Sequence, residues 1–271
     1  LMGKINVLVH GALGKMGQEV LRALCRDPEL EAVAGVDLKA NDKELLLPDG
    51  SCSIPLSTDL ESTLERYHPD VLVDFTAAKA TMAAVQTAVK HNVRLVIGTT
   101  GLSTADLDEI KSLCQSRGVG AVVAPNFSLA AVVMIHLAKM AASFFDYAEI
   151  IEMHHEQKVD APSGTAIATA REMVSSRGKA FLHTSATHES IASSRGGELD
   201  GVALHSVRLP GMLAHQEVIL GAPGQTLRIR LDQINREAFM PCVTLAIKKV
   251  VEFNEAVFSL NQLLGLEEGN C

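Results

Sequence analysis

The sequence predicts an α/β chain: a doubly wound, Rossmann-like parallel-sheet domain followed by an α+β domain. Three observations carry that expectation. Short apolar runs alternate with helix-spaced segments through the first half, as in a parallel sheet with helices on both faces. A glycine-spaced turn closes the first apolar run. After Phe127, strand-like segments come to follow one another without helices between them, which suits a largely antiparallel sheet.

The elements follow in order. "INVLVHG" (5–11) is a short apolar run closed by glycine, and "KMGQEVLRALC" (15–25) has apolar residues at helical spacing. "EAVAGVD" (31–37) reads as a second strand and "DVLVDFT" (70–76) as a third. "TMAAVQTAVKHN" (81–92) reads as a helix and "VRLVIGTT" (93–100) as a fourth strand. Ser103 and Asp106 resemble a capping box for the helix "TADLDEIKSLCQSRG", and "VGAVVAPN" (119–126) is a fifth strand. A helix over "SLAAVVMIHLAKMAASF" leads into the strand "YAEIIEMHH", and a further helix runs from Thr165 to about Ser176. Residues 178–200 are polar and loop-like. "VALHSVRLP", "QEVILGA" and "QTLRIRLDQI" are strands, the last with Leu227, Ile229 and Leu231 opposite Arg228 and Arg230. The tail "PCVTLAIKKVVEFNEAVFSLNQLLGL" is expected to be helical and to return to the first domain.

Composition narrows the function classes. The chain has 271 residues, 47% hydrophobic, enough for one large domain or two modest ones. A net charge of −8 without a basic block argues against nucleic acid as a partner. No apolar run is long enough to cross a bilayer, and the N-terminus enters a strand directly, so a soluble, untargeted cytoplasmic protein is expected. Cys25, Cys52, Cys114, Cys242 and Cys271 are scattered and form no CxxC pair, which argues against disulfides and thiolate zinc.

Gly11, Gly14 and Gly17 give the turn "GALGKMG" a GxxGxxG spacing. Glycine there permits close backbone approach, so amides at the helix start can hold a pyrophosphate. A plain strand–helix turn is the alternative, but the position between first strand and first helix favours a dinucleotide. Asp37, closing the second strand, can accept from the adenosine ribose and so favours NAD; Lys39 can instead pair with a 2′-phosphate. Use of both cofactors is expected, with measurable NADH activity. "DFT" (74–76), "GTTG" (98–101) and "APNF" (124–127) end successive strands, where a doubly wound sheet opens its ligand crevice; Gly98, Thr99, Thr100 and Asn126 could reach the nicotinamide and its ribose there.

In "EMHHEQKVDAPSGTA" (152–166) an acidic chain gathers cationic and proton-carrying groups. Histidine suits proton delivery beside a hydride transfer, and lysine can pair with a carboxylate or give up a proton. Pro162 breaks the preceding run, Ser163 or Thr165 can cap, and the amides of Gly164 and Thr165 then make a carboxylate site. Adjacent histidines on a strand face opposite ways, so one can be a packing residue. A metal at His154, His155, Glu156 and Asp160 matches no familiar ligand spacing, and none is expected.

In this order "GALGKMG", "DFT", "GTTG", "APNFS", "HHEQKVDAPSGTA" and "HSVRLPGMLAHQEVILGAPGQTLRIR" closely resemble the dihydrodipicolinate reductase family, over nearly the whole chain. The HHxxKxDAPSGTA segment is specific to that family; the glycine turn is not. The resemblance implies a dinucleotide-binding domain over 1–126 and 240–271, and a substrate-binding and tetramerisation domain over 127–239. It implies reduction, with NADPH or NADH, of a cyclic dicarboxylic imine precursor in the diaminopimelate and lysine pathway, by a homotetramer. It further implies His154 as proton donor and acceptor, Lys158 as catalytic proton donor, His155 against the substrate, and Gly164 and Thr165 on a substrate carboxylate. Arg236 in "NREAF" is expected to touch substrate. The implied cofactor segments are Gly11, Ala12, Leu13, Gly14, Lys15 and Met16; Asp37; Gly98, Thr99 and Thr100; and Ala124, Pro125, Asn126 and Phe127. "DFTAAKAT" lacks the proline frequent after DFT in the family, which leaves that loop's conformation open.

Two other classes remain in view. One is a different two-domain dehydrogenase, acting on aspartate semialdehyde or homoserine; the aldehyde enzyme would need an activated cysteine, and none of the five sits in a basic helix-start setting. A nucleotide-sensing regulator would keep the glycine turn but has no use for HHxxK–PSGT.

Overall fold

The computed structural model describes residues 3–266, which leaves Cys271 outside the described residues. The chain folds into two units, one running to Ser128 and resuming at Phe239, the other Leu129–Ala238.

In the first unit β1 (Ile5–His10), α1 (Lys15–Arg26) and β2 (Leu30–Val36) form the opening βαβ. β3 (Glu44–Leu46), β4 (Ser53–Ser57) and α2 (Leu60–Tyr67) follow, then β5 (Val71–Asp74), α3 (Ala78–Lys90), β6 (Arg94–Ile97), α4 (Thr104–Arg117) and β7 (Ala121–Val123). The capping box at the start of α4 forms as expected, Ser103 and Asp106 each accepting from the other's backbone amide. The sheet order is β13-β7-β6-β5-β1-β2-β4-β3, counting β13 (Ala256–Val257) from the tail. All of its pairings are parallel except that of β3 with β4.

Strand order reverses at β1: β2 is added on one side and β5, β6 and β7 on the other. A reversal of this kind places helices on both faces, α1 with α7 and α2 with α3 and α4. Leu8, Ala34, Leu72 and Leu95 pack with Leu64, Val85 and Ile110 from α2, α3 and α4. Val7 and Val9, alternating with Leu8, are also fully buried. α7 (Met240–Val250) lies against α1 and against β5, β6 and β7. The tail is therefore not helical throughout: β13 interrupts it before α8 (Leu260–Leu264). A two-residue strand leaves no periodicity to read; its place is set by pairing with β7.

The second unit contains α5 (Leu129–Ala142), β8 (Tyr147–His154), α6 (Gly164–Arg177), β9 (Gly197–Leu199), β10 (Val202–Arg208), β11 (Ala214–Ala222) and β12 (Gln225–Gln233). Its sheet runs β12-β11-β8-β10-β9, antiparallel except for β10 beside β8. One face carries Ala148, Ile150, Val218, Leu220 and Leu204 against Ala166, Ala170 and Met173 of α6 and Met134 of α5. The register places Glu149 opposite Ile219, Ile151 opposite Glu217 and Met153 opposite His215, and these belong to the other face. Among the described residues no helix is long and apolar enough to cross a membrane.

Candidate functional site

In the first unit the glycine turn ends β1 and starts α1. Gly11 adopts φ +81° and Gly14 caps the helix with no side-chain hydrogen bond. The Gly14 amide donates to the Gly11 carbonyl and that of Gln18 to Gly14. The first-turn amides between them have no carbonyl a turn back to bond, and they lie beside the positive end of the helix dipole. Asp37 closes the gap from the next strand: its Oδ2 accepts from the Leu13 amide (3.0 Å) and its Oδ1 from that of Lys39 (2.9 Å). The turn, the acid and Lys39 are thus one constellation, which fits a dinucleotide's pyrophosphate and adenosine ribose. Lys15 is exposed and Met16 half-buried, whereas Ala12 is fully buried.

Gly98, Thr99, Thr100, Ala124, Pro125, Asn126 and Phe127 follow strand ends of the same sheet, but several have their side chains occupied. The Thr99 hydroxyl donates to Asp74 (3.1 Å) and accepts from Thr81 (2.9 Å) and from the Thr76 amide (3.1 Å). A Cβ on Gly98 would fall 1.9 Å from the Phe75 ring, so glycine here makes room for that ring. Phe127 is buried and meets Phe75 edge-on at 5.9 Å. The Asn126 side chain accepts from the Ser128 amide (2.9 Å). Only Pro125 and Thr100 of this set are exposed.

The centre of this network is Asp74 of DFT, which the sequence places at the crevice edge without giving it a role. Asp74 is 1% exposed and pairs with His10 Nδ1 at 3.0 Å, while its other oxygen accepts from the Thr76 amide and hydroxyl. Burial pushes its carboxyl up, but the bonds from His10 and Thr76 outweigh that and hold it below the usual range.

The second unit brings the opening histidine to the end of β8. Glu152 and His154 share a face, and β10 places Ser206 beside Glu152 and Arg208 beside His154 on the same side. Glu152, 1% exposed, accepts a two-pronged bond from Arg208 (2.8 and 2.9 Å) and pairs with His154 Nδ1 at 2.5 Å. The Ser163 amide also reaches it, at 3.3 Å. Neither Glu152 nor Arg208 was among the expected site residues. The signal was there: Glu152 stands two residues before His154, and "HSVRLPG" supplies Ser206 and Arg208 at the same spacing.

Past the strand, the Lys158 amide closes a turn on the His155 carbonyl, and the Lys158 ammonium bonds the Asp160 carboxylate. Arg208 reaches across to the Asp160 carbonyl (2.6 Å). Ser163 caps α6, accepting from the Ala166 amide (3.2 Å), so Gly164 and Thr165 form the first turn with their amides outside the helix ladder. The Asp160 carboxyl is held below its usual range, foremost by Lys158 and also by the Gly164 amide. His154, Glu152, Arg208, Asp160 and Lys158 therefore form one hydrogen-bonded series. His155 is half-buried just past the strand, and Arg236 opens the 3-10 turn Arg236–Phe239 after β12.

Burial pushes Glu152 up, but the bonds from His154, Arg208 and Ser206 prevail and take its carboxyl from 4.5 down to about 2. A carboxyl depressed in the folded chain stabilises it above the unfolded value and loses that contribution as pH falls through the folded one. About 3 kcal/mol should therefore fade between about pH 5 and pH 2. Thermal midpoints measured over that range should fall more steeply for the native chain than for Glu152→Gln; equal slopes would contradict this account.

Burial lifts the thiols of Cys114 and Cys242 to about 11 and raises Cys25 as well, the opposite of nucleophile activation. Among the described residues the three side chains spaced to share a metal are Glu61, Glu65 and His91, and Glu61 is already paired with Lys90.

Family models described as "Dihydrodipicolinate reductase, N-terminus" and "Dihydrodipicolinate reductase, C-terminus" match residues 5–127 and 130–264. A 4-hydroxy-tetrahydrodipicolinate reductase of Dehalococcoides mccartyi is 52% identical over 265 residues, 98% of this chain and 100% of its own. One from Syntrophomonas wolfei is 46% identical over 263 residues, 96% of this chain and 99% of its own. Among solved structures, a dipicolinate-bound dihydrodipicolinate reductase from Paenisporosarcina sp. TG-14 matches with a TM-score of 0.84 and 38% identity, over 96% of this chain and 99% of that one. An amine dehydrogenase from Mycobacterium smegmatis, at TM-score 0.63 and 17% identity over 94% and 95% of the chains, shares the fold.

Proposed function

The chain belongs to the dihydrodipicolinate reductase family, and on that premise we propose that His154 and Lys158 carry the proton transfer of its reaction. That reaction is the NAD(P)H-dependent reduction of 4-hydroxy-tetrahydrodipicolinate to tetrahydrodipicolinate, in which the 4-hydroxyl leaves as water, in diaminopimelate and lysine biosynthesis. NADH or NADPH, when bound, supplies hydride from the nicotinamide to an unsaturated ring carbon of the substrate. The first-turn amides of α1 and the Asp37 carboxylate seat the nucleotide, with Thr100, Ala124, Pro125 and Asn126 at neighbouring strand ends.

The observation that carries the residue assignment is the hydrogen-bonded series joining His154 to Lys158 through Glu152, Arg208 and Asp160. Hydride arrival makes the substrate more electron-rich, so cationic groups beside it favour the transition state over the ground state. His154 and Lys158 are those groups, and either can complete the reduction by giving up a proton. Gly164 and Thr165 offer backbone donors to a substrate carboxylate, with His155 and Arg236 as further substrate contacts. Asp160's own carboxylate already rests on Lys158, which supports that ammonium as part of a carboxylate seat. A small dicarboxylate is the substrate class, consistent with the dipicolinate named in the Paenisporosarcina structure.

A homotetramer is supported by the second sheet's other face, where Glu217, Arg228, Arg230, His215 and Asp232 pair among Ile151, Ile219 and Met153. A surface bearing both signs of charge and apolar side chains can match a second copy of itself; a monomeric mass by sedimentation would dismiss this. The free thiols of the described cysteines support a cytoplasmic enzyme.

The deciding assay follows NAD(P)H oxidation with the condensation product of pyruvate and aspartate semialdehyde. Turnover is expected with both nucleotides. Loss of signal with NADH alone would remove the role given to Asp37, and loss with both would overturn the reading.

A further inference from the structure

We propose that Glu152, clamped by Arg208, is a positioning residue for His154: it keeps the imidazole proton on Nδ1 and so reserves Nε2 for proton exchange with the substrate. The inference rests on the reading of His154 as a proton-transfer group, and it adds a residue and an atom to that reading.

The strand register creates the pair. Glu152 and His154 are two residues apart on β8, so their side chains leave the same face. The Glu152 oxygen lies 2.5 Å from Nδ1. Glu152 is ionised, since Arg208 grips both of its oxygens, and an ionised carboxylate can only accept. Nδ1 must therefore be the donor in both protonation states of the ring. In the neutral ring this leaves a lone pair at Nε2, and in the charged ring an N–H at Nε2. Proton traffic then runs through one defined atom.

The carboxylate also ties His154 to the rest of the site. Ser163, whose amide reaches Glu152 at 3.3 Å, is the cap that exposes the Gly164 and Thr165 amides. Arg208 joins Glu152 to the Asp160 carbonyl, on the turn that carries Lys158. A charge buried to this degree carries a desolvation penalty that its partners must offset. Arg208, Ser206 and the Ser163 amide already partner the carboxylate; the imidazole is a partner beyond these.

The test combines kinetics with the ring's tautomer. In the native chain, ¹⁵N shifts of neutral His154 should show the proton on Nδ1. Glu152→Gln should move part of the population to Nε2–H and lower kcat by roughly 10- to 100-fold, less than loss of His154 itself. NADH affinity should be unchanged. In a His154→Ala background, adding Glu152→Gln should cost almost nothing further, because the two act as one unit. Equal costs in both backgrounds would make Glu152 a structural residue and overturn the proposal. Neutral His154 protonated on Nε2 in the native chain would overturn it without any variant, even should Glu152→Gln not fold. A His154→Ala enzyme with native turnover would instead remove the catalytic reading, leaving the tautomer to judge the positioning.

Discussion

Alanine at His154 is expected to lower kcat by about 10²–10⁴-fold, the usual cost of removing a positioned acid or base, while folding and nucleotide affinity persist. The fold survives because Glu152 loses one partner of several: Arg208 still holds both its oxygens and the Ser163 amide remains in reach. No uncompensated buried charge is created, and that is the usual reason such a deletion unfolds a protein. Nucleotide affinity persists because Asp37 and the glycine turn belong to the other unit. Lys158→Ala follows the same logic. It frees Asp160, which is exposed enough to be solvated, and removes the second cation facing the developing negative charge. An interaction made only in the transition state lowers kcat and kcat/KM together. Steady-state kinetics, an NADH fluorescence titration and a thermal midpoint are the three measurements. Near-native turnover in both variants would end the assignment.

Legibility in the sequence followed the length of the signal. α1, α3 and α4 are long enough for a period of about 3.6 to show, and β1, β2, β5, β6 and even three-residue β7 sit in short apolar runs, so each is expected close to where it lies. The four elements passed over in the body of the chain are short or weakly patterned. β3 and β9 have three residues each, β4 carries Pro55, and α2 (LESTLERY) has just two leucines on its apolar side. Their positions come from tertiary pairing: β4 lies against β2, and β9 lies against β10.

The candidate site divides in a similar way. His154, Lys158 and the PSGT turn sit within a dozen residues, so spacing alone suggested shared chemistry. Arg208 is fifty-six residues from Glu152 and becomes its partner only when β10 pairs with β8. His10 and Asp74 are likewise joined across neighbouring strands. Buried polar hubs of this kind look like ordinary charged residues until a partner is known, because burial without a partner is what makes them costly. At Thr99 a hydroxyl at a strand end invites a ligand, but its bonds go to Asp74, Thr81 and Thr76, which leaves the backbone there to meet one.

Alanine at Gly17 should weaken NADH binding at least about a hundredfold, close to 3 kcal/mol on a scale of 1.4 kcal/mol per decade. A Cβ there would stand 2.1 Å from the Gly11 carbonyl oxygen and 2.9 Å from the Ala12 Cα, both backbone atoms. The turn cannot give way easily. The Gly11 amide donates to Val36 (2.8 Å), its carbonyl accepts from Gly14 (3.0 Å), and its φ of +81° is one that favours glycine. The helix must move instead, carrying its first-turn amides away from the place where a pyrophosphate would meet them. Gly14→Ala provides the graded comparison: its Cβ meets the same oxygen at 3.2 Å and its φ of −72° suits any residue, so a much smaller loss is expected. The titration is read at a temperature where circular dichroism shows both variants folded. Native affinity in Gly17→Ala would mean that this turn is not where the nucleotide's phosphates sit, and the order Gly17 worse than Gly14 ties the loss to steric displacement of α1.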